Sequence, residues 1–150
     1  MIEHTLFLHP GATDDKIFHY PEVADIWYKN HNQSCELGIK NNFKTIVLLQ
    51  PSLGSGNKIF SKGELVTSQH QLKIKGLQDN FQSISEKLDD LKENCSKVID
   101  MRDTFDEISE PVFIDLVHTS DFGNQIIAEH IFKNIYSIVY DDVVNWLYNN

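Results

Sequence analysis

The sequence predicts an α/β fold, in which a small and mostly parallel sheet carries helices on both faces. Three observations predict it. Two short apolar runs, at 43–49 and 97–101, are of strand length and are separated by a long stretch of helical periodicity. A third apolar run, at 112–116, leads directly into another helical pattern. Strands that alternate with helices pair in parallel through crossover connections, and such sheets are buried on both faces.

Residues Thr5 to Leu8 read as a short strand closed by His9-Pro10-Gly11. Residues 22–41 read as a helix with Val23, Ile26, Trp27, Cys35, Leu37 and Ile39 among its apolar positions. Pro21 suits its first turn and Asn41-Asn42 its end. The run at 43–49 is the clearest buried strand, halted by Gln50-Pro51, and 52–61 is a Gly/Ser loop. From 62 to 93 the pattern is helical, with Leu77, Phe81, Ile84, Leu88 and Leu91 recurring at intervals of 4, 3, 4 and 3. A coiled coil would share that spacing, but it lasts barely two heptads, so one helix face packed on a sheet is expected. A short strand follows at 97–101 and a last one at 112–116. The final helix spans 121–139 on Ile127, Ile131, Ile135 and Ile138, and Tyr140 to Tyr148 either continues it or forms a separate amphipathic turn.

A chain of 150 residues suits a single domain with a real core. The net charge of −9 argues against nucleic acid or an anionic membrane as a partner. No apolar run is long enough to span a membrane, and the first residues lack the basic lead and apolar core of a signal peptide, leaving the compartment open. Cys35 and Cys95 stand far apart, outside any C-x-x-C or zinc spacing. Two cysteines neither prove nor exclude a disulfide, and both read as ordinary thiols.

The most informative segment is 111–130. An apolar run leads into Asp115, and His118 follows three residues later, ahead of a Thr-Ser-Asp turn and a helix. A carboxylate and an imidazole at a strand end are two members of an acyl-transfer triad, in which the Asp orients the His and the His shuttles a proton to and from a Ser. The plainer alternative is that Asp115 or Asp121 caps the helix and His118 is a polar turn residue. Gly54-Ser-Gly-Asn-Lys58 meets neither common phosphate-loop spacing. His4, His9 and His19 share no helix face, so surface histidines rather than a metal site are expected, and no cofactor is called for.

These residues resemble the SGNH (GDSL-like) hydrolase superfamily, whose last motif block is a D-x-x-H ahead of a G-x-x-x-x-A helix. Here that block reads Asp115-Leu-Val-His118, then Gly123-Asn-Gln-Ile-Ile-Ala128. Leu48-Leu49-Gln50-Pro51 is similar to the family's fourth strand and following loop, Lys58 through Glu64 to the lead into its long helix, and Val98 through Phe105 to the short strand before the His block. Trp27 and Cys35-Glu-Leu-Gly38 fit the helix before strand four, so the resemblance covers about 23–138.

The resemblance implies a flavodoxin-like three-layer α/β/α fold, incomplete on its N-terminal side. It implies ester hydrolysis on a small-molecule or carbohydrate acyl ester, with His118 as general base and acid and Asp115 as its orienting partner. Gln50 and Asn57 would be polar groups of the substrate loop. The family's nucleophile sits in a G-D-S motif after the first strand, and this chain has none. Gly11-Ala12-Thr13-Asp14 falls about where the family's G-x-N-D would, with Thr13 in place of the oxyanion Asn. Ser52 and Ser55 follow a strand, but Pro51-Ser-Leu-Gly-Ser-Gly56 is no nucleophile elbow. The chain is therefore expected to supply only the Asp/His half and to be inactive alone. A missing N-terminal half, or self-association through an exposed apolar edge, is the expected partner. The alternative is a degenerate, non-catalytic domain that binds a glycan or a protein.

Overall fold

The computed structural model describes residues 21–68 and 71–149. The elements run α1 (Pro21–Asn41), β1 (Ile46–Leu49), α2 (Lys62–Ser68), α3 (Gln71–Ser85), α4 (Leu88–Leu91), β2 (Lys97–Asp100) and α5 (Asp121–Asn149). Among these residues the fold is mixed α/β and mostly helical, around a two-stranded parallel sheet in the register Ile46↔Lys97 to Leu49↔Asp100. The strand expected at Thr5 to Leu8 and the Gly11-Ala12-Thr13-Asp14 stretch compared with G-x-N-D lie outside the described residues.

α1 ends as Asn41-Asn42 led one to expect. Asn42 takes a left-handed conformation with φ 58°. The Phe43 N–H reaches back to the Gly38 carbonyl at 3.0 Å and the Asn42 N–H to that of Ile39 at 3.3 Å, the paired bonds of a Schellman cap. The buried face of α1 differs from the one its apolar residues suggest. Ala24, Cys35 and Gly38 are buried and Trp27 half-buried, while Val23, Ile26, Leu37 and Ile39 are exposed.

Side chains alternate along β1, and the two faces meet different neighbours. Leu49 packs with Ala24, Ile84 and Leu88, against Trp27, Phe81 and Val98. Val47 packs with Cys35, Leu91 and Cys95. Leu48, one residue out of phase, lines a cavity shared with Ile127 and Ile131 of α5. A further cluster of Leu53, Phe105, Val112 and Phe113 packs on Ile126 and Ile127, with the Phe105 and Phe113 rings edge to face at 5.2 Å.

Three expectations are corrected. Cys35 and Cys95 are not free thiols but form a disulfide, with Cα atoms 4.8 Å apart across a separation of 60 residues. They meet because α1 and the turn after α4 pack on the same side of the sheet, a proximity that no local spacing announces. The helical stretch at 62–93 is broken after α3, where Ser83 and Ser85 return their hydroxyls to the carbonyls of Asp79 and Gln82 just ahead of the turn that leads to α4. Residues 112–116 do not form a strand of the sheet. The N–H groups of Val112 and Phe113, which a ladder would need, both donate to the Glu64 carboxylate, at 2.9 and 3.1 Å. α5, in contrast, runs unbroken through 140–148.

Candidate functional site

Residues 113–119 fold into a small closed loop. Phe113 and Thr119 form an isolated antiparallel bridge, and the Ile114 N–H donates to the His118 carbonyl at 2.9 Å. Asp115 sits in the turn so formed. Its Oδ1 accepts the N–H groups of Val117 and His118, at 2.9 and 2.8 Å, while Oδ2 lies 2.8 Å from His118 Nδ1. The Val117 N–H, then the His118 N–H and the His118 ring, hold the Asp115 carboxyl down at about 2, from an ordinary 3.8. Near neutral pH it is a carboxylate and can only accept, so Nδ1 must be the donor. Among the described residues no hydrogen bond engages Nε2, which in the neutral ring is the nitrogen that carries the lone pair.

Neither Asp115 nor Asp121 caps α5. Ser120 does, with its Oγ accepting the Gly123 N–H at 3.2 Å and its carbonyl the Asn124 N–H at 2.8 Å. Gly123 allows the close approach of α5 to the Asp/His loop. A Cβ there would lie 2.9 Å from the Val112 carbonyl oxygen and 3.0 Å from the Thr119 Cβ.

The loop is pinned at its base by an ion pair that the sequence reading passed over. Glu64 is fully buried, and besides the Val112 and Phe113 N–H groups it meets Lys58 Nζ at 3.3 Å. Its Oε2 also accepts the Ser61 N–H at 2.8 Å, and the Glu64 N–H returns to Ser61 Oγ at 3.4 Å. This is a capping box at the start of α2, and the Ser61-x-x-Glu64 spacing is the signal that could have found it. Burial works to raise the Glu64 pKa, but the N–H groups of Ser61, Val112 and Phe113 outweigh it and hold it below the usual carboxylate range. Lys58 also donates to the carbonyls of Ile108 and Glu110, at 2.7 and 3.0 Å. Its ammonium is thereby committed to the interior rather than to a phosphate.

His118 lines a cavity of about 550 Å³ beyond the carboxyl ends of the strands, with Gln50, Pro51, Met101, Thr119 and Asn124 among its other walls. That is where open parallel sheets bind ligands. Gln50 is thus brought to the same cavity as His118. Asn57 is not, and lines a second cavity of about 340 Å³ with Asp100 and Arg102. Its backbone N–H and side-chain amide are both held by Asp106, at 2.7 and 3.1 Å.

Neither loop serine meets the imidazole. Ser52 is buried, and its hydroxyl has no hydrogen-bond partner among the described residues. The Ser55 hydroxyl is shared between the backbone N–H and carbonyl of Ser52, at 2.9 and 3.0 Å. Among the described residues no group of three or more His, Cys, Asp or Glu side chains could hold a metal ion, and no helix is long and apolar enough to cross a membrane. His4, His9 and His19 lie outside them.

No protein-family model, no curated protein and no solved structure matches this chain. The assignment of function therefore rests on the chain's own residues.

Proposed function

We propose that this chain is the acid/base half of an SGNH-type ester hydrolase, a flavodoxin-like three-layer domain without its N-terminal strands. The observation that carries the reading is the Asp115–His118 pair at 2.8 Å, set beside a cavity at the carboxyl ends of two parallel strands. With Nδ1–H donated to Asp115, His118 Nε2 takes the proton of a Ser hydroxyl as its oxygen attacks the acyl carbonyl. The same proton then passes to the departing alcohol, and His118 repeats the cycle with water to release the acid. Asp115 remains ionised throughout and stabilises the transient imidazolium. The apolar walls from Leu48, Met101, Ile127 and Ile131 suit an acyl chain, and Gln50 and Asn124 can meet the polar part of a small or carbohydrate ester.

The Ser comes from outside these residues, so the chain alone is inactive. The test joins the chain behind a segment that carries a strand ending in Gly-Asp-Ser and follows a chromogenic acyl ester. The joined protein is expected to show turnover that a Ser-directed organophosphate blocks and His118→Ala abolishes, while the chain alone shows none. Organophosphate-sensitive turnover by the chain alone would overturn the external nucleophile. A folded joined protein without turnover would overturn the hydrolase reading.

A further inference from the structure

α5 is 29 residues long, and among the described residues its contacts with the core and the cavity come from its first half. Ile126 and Ile127 pack on the core, Ile131 lines the cavity, and His130 Nδ1 meets Thr104 Oγ1 at 3.1 Å. None of residues 139–148 is buried. Along the outer face, Phe132, Tyr136, Val139 and Val143 recur at intervals of 4, 3 and 4, and all are about half exposed or more. Tyr140 and Leu147 flank this row and are equally exposed, and the rings of Phe132, Tyr136 and Tyr140 follow one another at 5.4 and 5.8 Å. That is the spacing of a helix-pairing seam.

We propose that this outer face of α5 is a dimerisation surface, and that it is covered by the same face of α5 from a second copy running antiparallel. Area is the first argument. Large aromatic side chains bury roughly 150–250 Å² each when fully covered, so the exposed parts of these six residues offer about 600 Å² per copy. The pair would bury about 1,200 Å², the lower bound of stable specific interfaces. Shape is the second argument. Antiparallel pairing sets the two kinds of seam position opposite one another, so Phe132 faces Val143 and Tyr136 faces Val139 of the second copy, large against small in each layer. Charge is the third. Parallel pairing would stack the Asp141-Asp142 pairs at one level and align the helix dipoles, whereas antiparallel pairing separates the acidic pairs and opposes the dipoles. A lipid surface fits less well, because Lys133 is the sole Lys or Arg in α5 and surface-lying helices carry a basic face.

Sedimentation equilibrium of the full chain from low to high micromolar tests this, with Tyr136→Asp and Val143→Asp as variants. The wild type is expected to be a dimer. Each variant should weaken association at least ~100-fold, since it would bury an unpaired charge, while leaving the far-UV spectrum and unfolding of the monomer unchanged. Three results would overturn the proposal. One is a wild-type monomer throughout the range. Another is a dimer indifferent to both variants, which would place the contact elsewhere, for instance on the β1 edge. The third is a monomer that sediments with phosphatidylcholine vesicles through this face.

Discussion

Glu64→Ala should be the most damaging single substitution near the site. The carboxylate is fully buried and accepts the N–H groups of Ser61, Val112 and Phe113 while pairing with Lys58 at 3.3 Å. Its removal strands three backbone donors and leaves the Lys58 ammonium, itself buried, without its counter-charge. Each orphaned donor costs about 1–3 kcal/mol, but the effects overlap, and breaking a buried ion pair by removing one partner costs about 3–5 kcal/mol as a whole. Against a typical total stability of about 5–15 kcal/mol, that is a large fraction. At about 2–4 °C per kcal/mol for a chain of this size, the melting temperature should fall by roughly 6–20 °C.

Glu64→Gln separates charge from acceptor. It keeps an oxygen for Val112 and Phe113 but turns an NH₂ toward Ser61 and Lys58, so its loss should be smaller yet above ~1 kcal/mol. Urea unfolding with an unchanged slope measures both variants, and amide exchange at 113–119 reports whether the Asp/His loop loosens with them. An Ala variant that loses under ~1 kcal/mol, or equal losses for Ala and Gln, would refute the idea that this buried pair holds the loop.

Other outcomes follow from the same structure. Replacing both Cys35 and Cys95 by Ala should cost up to about 4 kcal/mol on chain-entropy grounds for the 60-residue separation, read from urea midpoints and reproduced by a reductant on the wild type. Gly123→Ala gains about 1 kcal/mol of helix propensity at most. It loses about 1–3 kcal/mol to crowding against Val112 and Thr119, so the net effect on thermal unfolding should be destabilising. Asp115 has a folded pKa below its unfolded value, so its contribution to loop order is fully present above pH 3.8 and is lost as pH falls toward about 2. The amide shifts of Val117 and His118 should therefore titrate together with a midpoint near 2, and a midpoint near 4 would contradict the hydrogen bonds assigned to that carboxylate.

The parts of this protein legible in its sequence are those set by local chemistry. Ile46–Leu49 and Lys97–Asp100 announced themselves as apolar runs, Asn42 as a helix end, and Asp115 and His118 as a pair whose three-residue spacing closes a turn by itself. What depends on distant segments was not legible. The apolar run at 112–116 reads as a strand until the Glu64 carboxylate, 48 residues earlier, takes its backbone donors. The buried side of α1 is legible only in part: Cys35 and Trp27 turn inward as their apolar character suggests, but Val23, Ile26, Leu37 and Ile39 look like core and are exposed, while packing buries Ala24 and Gly38. Asn57 looked like a companion of Gln50 in one loop, but Asp106 draws it to the other cavity.

The most direct test of the account is the protonation pattern of the neutral His118 ring, read from ¹⁵N-resolved NMR of its two nitrogens. Asp115 should force the proton onto Nδ1 and leave Nε2 bare, and Asp115→Ala should release the ring toward the Nε2–H form that free imidazoles favour. A wild-type ring carrying its proton on Nε2, or a pattern indifferent to Asp115, would mean that the pair is not poised as a base and that the hydrolase reading fails at its first step.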